Sequence, residues 1–303
     1  MRRTRLLVPS IVGALLVPLV TLHAQGDRQR VDTTFTFDRG GSVRLGIVSG
    51  EIRVVAGSAN EVRIVATIER GRFETSFSRS SVSIEARSVN GRMGATRIEM
   101  TVPVGTRLRA NSVSGDVTVR GTQAEVEVSA VSGDVTIEDA ANSVHVGAVS
   151  GDLQVTTVRG RVELSTVSGE LRVRGVEGDL GAESVSGSID VRDARVRTLR
   201  TQSVSGDVTY DGAFARDGDY RFNSHSGSIL FSLPANAGAD LEMETFSGRI
   251  SSDFPVTLQP GESVGRRGRR MQFTLGAGGT RISAETFSGN ITIRRSAARD
   301  NEE

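Results

Sequence analysis

Along most of this chain, apolar and polar residues alternate over short stretches. Val117 and Val119 share one parity, and Val126 and Val128 share the other. The arrangement returns in Val135, Ile137, Val144 and Val146, then in Leu153, Val155, Val162 and Leu164. It returns once more in Leu171, Val173, Leu180 and Ala182. A period of two predicts strands, and the branched side chains favour them. No stretch has helical periodicity. Val31, Thr33, Phe35 and Phe37 predict an earlier strand with one apolar face.

The parity changes inside each unit. A straight strand through that point would turn half of the apolar set outward. A bend is therefore expected near Ala130, and at Ala148, Thr166 and Ser184 in later units. A second corner is expected near Gly121, Asp139, Thr157 and Gly175.

A short motif marks the first bend. Val113-Ser114-Gly115-Asp116 recurs as Val131-Ser132-Gly133-Asp134, Val149-Ser150-Gly151-Asp152, Val167-Ser168-Gly169-Glu170 and Val185-Ser186-Gly187-Ser188. The glycines are 18 residues apart. Longer steps lead to Gly206, Gly227 and Gly248, and a 41-residue interval separates Gly248 from Gly289. Gly50 and Gly91 are also 41 residues apart. Strict phase with irregular ends is the signature of a capped repeat architecture. An antiparallel meander gives no reason for identical residues at fixed phase. In-register stacking does. A membrane barrel would need aromatic girdles, and only 4% of residues are aromatic. The fold class expected is all-β: a single-stranded β-helix, or β-solenoid, with coils of about 18–21 residues and irregular capping ends. The motif reads as Val inward, Ser-Gly turning, and an acid at the exit.

Composition adds compartment rather than chemistry. Met1-Arg2-Arg3-Thr4-Arg5 followed by the apolar stretch from Leu6 to Leu22 reads as a signal peptide, with Leu22-His23-Ala24 before the cleavage point. The expected organisation is a signal peptide at 1–24, an N-terminal segment and cap strand at 25–42, the solenoid at 43–293 and a polar tail at 294–303. No transmembrane segment is expected after cleavage. The chain has 37 basic and 36 acidic residues. Removing Arg2, Arg3 and Arg5 leaves 37 − 3 = 34 basic residues, a net charge of −2. No nucleic-acid partner is expected from such a balance. The absence of Cys excludes disulfides, thiolate metal sites and a Cys nucleophile.

Candidate chemistry is sparse. Asp116, Asp134, Asp152, Glu170 and Asp207 share one phase. Stacked, they form a ladder that either holds cations or ends tight turns through backbone N–H groups. The turn reading is preferred, because Ser188, Ser228, Arg249 and Asn290 fill the same phase elsewhere. The Ser column has no matching His column, which argues against a Ser-His-Asp triad. His225 takes the Val phase of its unit and is expected to pack against Phe246 and Phe287. The Phe residues of the C-terminal third are expected to plug the core. Arg266, Arg267, Arg269 and Arg270 form the one dense basic cluster, a candidate loop for phosphate or sulfate groups.

The repeated Val-Ser-Gly-Asp-Val-x-Val resembles a bacterial putative-adhesin domain family of unknown function, related to head-domain-like putative autotransporter adhesins. The resemblance covers about residues 43–293. It implies a β-helix fold and an export or envelope context, and it carries over no catalytic residue. The expected function is that of an exported non-catalytic solenoid, an adhesin-like binding or structural protein that is periplasmic, surface-associated or secreted. No cofactor and no metal is expected. Envelope polysaccharide, lipid headgroups or another protein are the conceivable partners. The alternatives are a carbohydrate-active β-helix enzyme, and a scaffold or sensor of envelope stress.

Overall fold

A computed structural model describes residues 21–25, 28–89, 93–255 and 269–296. They form one 20-stranded sheet wound into a β-solenoid. The N-terminal region contains β1 (Thr21–Gln25), β2 (Arg28–Thr36), β3 (Ser42–Gly57), β4 (Glu61–Ile68), β5 (Arg72–Phe77), β6 (Ser81–Arg87) and β7 (Thr96–Pro103). The regular coils follow in β8 (Arg107–Arg120), β9 (Val126–Ser132), β10 (Val135–Ser150), β11 (Leu153–Ser168), β12 (Leu171–Ser186), β13 (Ile189–Ser205) and β14 (Val208–Ser226). The C-terminal region holds β15 (Ile229–Leu233), β16 (Ala239–Ser247), β17 (Ile250–Ser252), β18 (Arg269–Leu275), β19 (Thr280–Ser288) and β20 (Ile291–Arg295).

From β8 to the start of β13 each residue stacks on the one 18 positions later. Val135 lies beside Leu153, Leu153 beside Leu171, and Leu171 beside Ile189, all in parallel register. Like therefore sits on like, and the core is a set of aliphatic columns from Val117 to Ile293. Each such contact removes branched side chains from water along the whole axis, so the core grows with every coil.

Two kinds of corner shift the side-chain parity in each coil, and a third bend lies at Asn142, Gly160 and Gly178. The expected second corner is present: Gly121, Asp139, Thr157, Gly175 and Asp193 all adopt positive φ between 53° and 80°. One inward residue follows it, Ala140, Val158, Val176 or Ala194 in successive coils. The longer coils place their additional residues one bend later, in the column of Asn142, Gly160 and Gly178. The ladder slips between Gly178 and Asp179 and between Val196 and Thr198, with a further irregularity between Arg192 and Arg195. The Ser-Gly corner stays in register throughout, with Ser186 beside Ser205 and Ser205 beside Ser226.

The Ser-Gly corner departs from expectation in one respect. Val113, Val131, Val149, Val167, Val185 and Val204 point outward and are 45–49% exposed. The strand that arrives at the corner keeps strict alternation: Val126, Val128 and Ala130 are buried, so Val131 must face solvent. The inward position belongs to the small-residue column of Ser112, Ala130, Ala148, Thr166, Ser184 and Ser203.

Both ends break chain order. β3 lies between β8 on one side and β6 with β7 on the other. At the other end β19 inserts between β14 and β16, although β16 precedes it in sequence. The two 41-residue intervals therefore record coils laid down out of order. Antiparallel strands finish each end: β4 flanks β7 and β2, and β18 flanks β16. Such flanks cover the open backbone edges of a parallel stack.

Candidate functional site: the ridge on the Ser-Gly corner

The corner is built from three columns. The glycine column allows the coils to approach. A Cβ on Gly151 would sit 2.2 Å from the Gly133 carbonyl oxygen, and one on Gly169 would sit 2.1 Å from that of Gly151. Beneath it, buried hydroxyls of several coils satisfy corner carbonyls, whereas those of Ser184 and Ser203 make no hydrogen bond. Ser112 donates to Gly115 at 2.8 Å, Thr286 to Gly227 at 3.0 Å and Thr245 to Gly289 at 3.0 Å.

The acidic column ties each coil to the next. Asp116 Oδ1 accepts the Asp134 backbone N–H at 3.0 Å, Asp134 accepts that of Asp152 at 2.9 Å, and Asp152 accepts that of Glu170 at 2.9 Å. Asp207 does the same for Ser228 at 2.7 Å, and Asn290 for Arg249 at 2.9 Å. The Glu170 N–H, with Arg172 beside it, holds the Asp152 carboxyl below the ordinary carboxylate range. These carboxylates spend one oxygen each on the neighbouring coil, whereas the turn reading placed the bond within the local turn. Among the described residues no group of three or more His, Cys, Asp or Glu side chains is placed to hold a metal ion.

Outside these columns runs the apolar ridge. It begins at Val48, which stands beside the Val113 coil through the Ile47–Ser112 and Ser49–Ser114 pairs. It continues through the five further valines to Val204. His225 then stacks on Phe287, with centroids 5.0 Å apart and planes 5° apart, and Phe287 stacks on Phe246 at 4.8 Å and 6°. Phe246 and Phe287 are 53% and 50% exposed. His225 packs on Phe287 as expected but not on Phe246, which stacks on Phe287 instead, and Phe222, Phe231, Phe254 and Phe273 do fill the core. Phe246 and Phe287 do not; they extend the ridge. The ridge was legible in principle, because alternation from Val126 to Ala130 puts Val131 outside. Reading Val by its hydrophobicity alone hid it.

Half of each ridge valine is covered by the valines of the adjacent coils. Such stacking stabilises the ladder by itself, as cross-strand apolar pairs do. The other half forms one continuous stripe. At its N-terminal end the stripe borders a groove of about 440 Å³. Its lining includes Val48, Val113 and Val131 of the ridge together with Arg44, Glu85 and Arg87.

The remaining candidates lie apart. Arg269 and Arg270 begin β18, and Arg270 pairs with Glu242. Arg266 and Arg267 lie outside the described residues. His145 bonds Ser143 at 3.0 Å, four coils away from the coil that carries His225. The buried Tyr220 hydroxyl donates to the Val196 carbonyl and accepts from the Ala215 N–H. It thereby closes the widened coil around Phe214.

The profile of a protein family described as Toastrack DUF4097 matches residues 51–294. No curated protein matches the chain. Among solved structures, a putative cell adhesion protein from Clostridium sporogenes is 9% identical over 88% of this chain and 100% of its own, with a TM-score of 0.27. A putative lipid binding protein from Parabacteroides distasonis is 10% identical over 90% and 98%, with a TM-score of 0.43. A putative adhesin from Bacteroides fragilis is 12% identical over 88% and 97%, with a TM-score of 0.37.

Proposed function

This chain belongs to the Toastrack DUF4097 family, and from that premise and its surface we propose that it is a non-catalytic binding protein whose contact surface is the corner ridge. The carrying observation is the stripe from Val48 to Phe246, apolar except for His225; among the described residues the other exposed large apolar side chains are Val55 and Val89. Contiguous exposed apolar patches of this extent mark interaction sites. The stacked register beneath it presents the stripe as a pre-formed edge, which lowers the ordering cost of binding. The carboxylates of Asp116, Asp134, Asp152 and Asp207 are engaged in holding the corner together.

The finer parts of the proposal are location and chemistry. The basic, then apolar, N-terminal segment supports export to the cell envelope, with Gln25 as the first mature residue. N-terminal sequencing of the protein from a periplasmic or surface fraction checks this. The basic segment carrying Arg266, Arg267, Arg269 and Arg270 is a secondary anion-binding element in the same proposal. Equal retention of wild type and an Arg269→Ser/Arg270→Ser variant on phosphorylated or sulfated polymers removes that element.

The ridge itself is tested by photo-crosslinking in cells. A photoreactive residue at Val149 is expected to give a discrete adduct. The same residue at Gln154, exposed on the adjoining wall, is expected to give none. Equal labelling at both positions overturns the ridge as the contact surface.

A further inference from the structure

We propose that the ridge docks on the ridge of a second copy of this chain, antiparallel, about a two-fold axis between Val167 and Val185. This rests on the reading of the ridge as a contact surface and names its partner.

The spacing is the first argument. The outward apolar side chains repeat once per coil, about 4.8 Å apart. A partner that covers them rung for rung needs apolar groups at the same repeat, and a second copy presents them over the full length. The area is the second. From Val48 to Phe246 there are nine coil steps, so the ridge is about 43 Å long. Its half-exposed Val, His and Phe side chains carry on the order of 700 Å² of accessible surface. That is close to the roughly 800 Å² per partner of a standard specific interface. Neighbouring Ser and Asn side chains supply the polar rim.

The direction follows from the unequal ends. One end bears bulk: the stacked His225, Phe287 and Phe246. The other bears space: the groove of about 440 Å³ beside Val48 and Val113. An antiparallel pair brings the aromatic end of each copy to the groove of the other. Self-complementarity of this kind is what an isologous two-fold interface requires. Charge agrees. Glu244 and Glu285 are exposed on the strands carrying Phe246 and Phe287. Arg44, Arg87 and Glu85 line the groove, and Glu85 is paired with Arg87, which leaves the groove with a net positive charge. A parallel pair sets like charges against each other, which opposes docking.

The centred register pairs Val167 with Val185 of the second copy, Val149 with Val204, and Val48 with Phe246. The chain contains no cysteine, so single cysteines report the geometry directly. Purified chain beginning at Gln25 is examined by sedimentation velocity from nanomolar to high micromolar concentration. A short bis-maleimide is then applied to Val167→Cys, to Val48→Cys, and to a mixture of Val48→Cys with Phe246→Cys. The expected result is a concentration-dependent dimer. Val167→Cys should crosslink alone, Val48→Cys should not, and the mixture should. Val167→Arg should raise the dimer dissociation constant at least about ten-fold, the effect of a central interface residue. If that variant fails to fold, the cysteine variants decide.

A monomer at every concentration overturns the proposal. Self-crosslinking of Val48→Cys overturns the antiparallel geometry. A monomer that still gives a Val149 adduct of foreign mass in cells removes the second copy as partner and leaves the ridge as a contact surface. Absence of any ridge-specific adduct removes both.

Discussion

Replacing Gly151 by Ala should be among the most damaging single-atom changes available in this protein. Gly151 sits in the corner column at φ +125°, where L-residues are strained whatever the space. Backbone held in a Gly-only region costs about 1–3 kcal/mol. The added Cβ would also lie 2.2 Å from the Gly133 carbonyl oxygen and 2.7 Å from its carbon. Both are backbone atoms fixed by the next coil, so no side chain can swing aside. Overpacking of this kind costs about 1–3 kcal/mol more. Reduced freedom of the unfolded chain returns about 0.4–1 kcal/mol. The expected loss is about 3 kcal/mol, a large part of the ~5–15 kcal/mol that holds an ordinary domain together. Urea unfolding followed by far-ultraviolet circular dichroism measures it, with Gly147→Ala as the control. A Cβ at Gly147 meets only Ser165 Oγ, at 3.4 Å, and should change stability by less than ~0.5 kcal/mol. Gly115→Ala separates the two causes. Its φ lies outside the strained range, yet its Cβ would sit 2.3 Å from the Gly50 carbonyl oxygen. If close stacking of coils is the reason for the glycine column, Gly115→Ala is also costly. A Gly151→Ala protein as stable as Gly147→Ala would refute the reasoning.

Other outcomes follow from the same corners. Thr157 holds φ +56° as a β-branched residue, so Thr157→Gly should raise stability by ~1 kcal/mol in the same assay. Asp152→Ala leaves the Glu170 N–H without its acceptor and should cost ~1 kcal/mol at neutral pH, whereas Asp152→Asn, which copies Asn290, should cost less. The Asp152 carboxyl titrates below its ordinary value when folded. Its contribution is therefore complete above the unfolded pKa of about 3.9 and is lost as pH falls through the folded value; melting curves of Asp152→Asn should fall less steeply across that acid range. Thr286→Val removes the donor to the Gly227 carbonyl and should lower stability by ~1 kcal/mol, with amide exchange accelerating first around residues 226–229.

The amino-acid sequence by itself determined that this chain is a solenoid. Alternation from Val117 to Ala182 sets the strands, the 18-residue phase sets the register, and Gly121, Asp139, Thr157 and Gly175 mark the second corner. These are local or strictly periodic properties, and a parallel stack converts period directly into contact. Three things were decided only in three dimensions. The orientation of the motif valines depends on how four corner residues are divided between two walls, and the inward place went to Ala130 rather than Val131. The partner of each Asp is an N–H one coil away, set by the closeness that glycine permits. The order of coils at the ends is the third. A 41-residue interval is compatible with two coils laid down in sequence or with one later returned to an inner slot. Only the pairing of β3 between β7 and β8, and of β19 between β14 and β16, distinguishes them. The basic cluster at Arg266–Arg270 was read from composition, and composition carries no register. The ridge that the fold builds at its most regular feature rests on that distinction: period put the valines in line, and the corner put them outside.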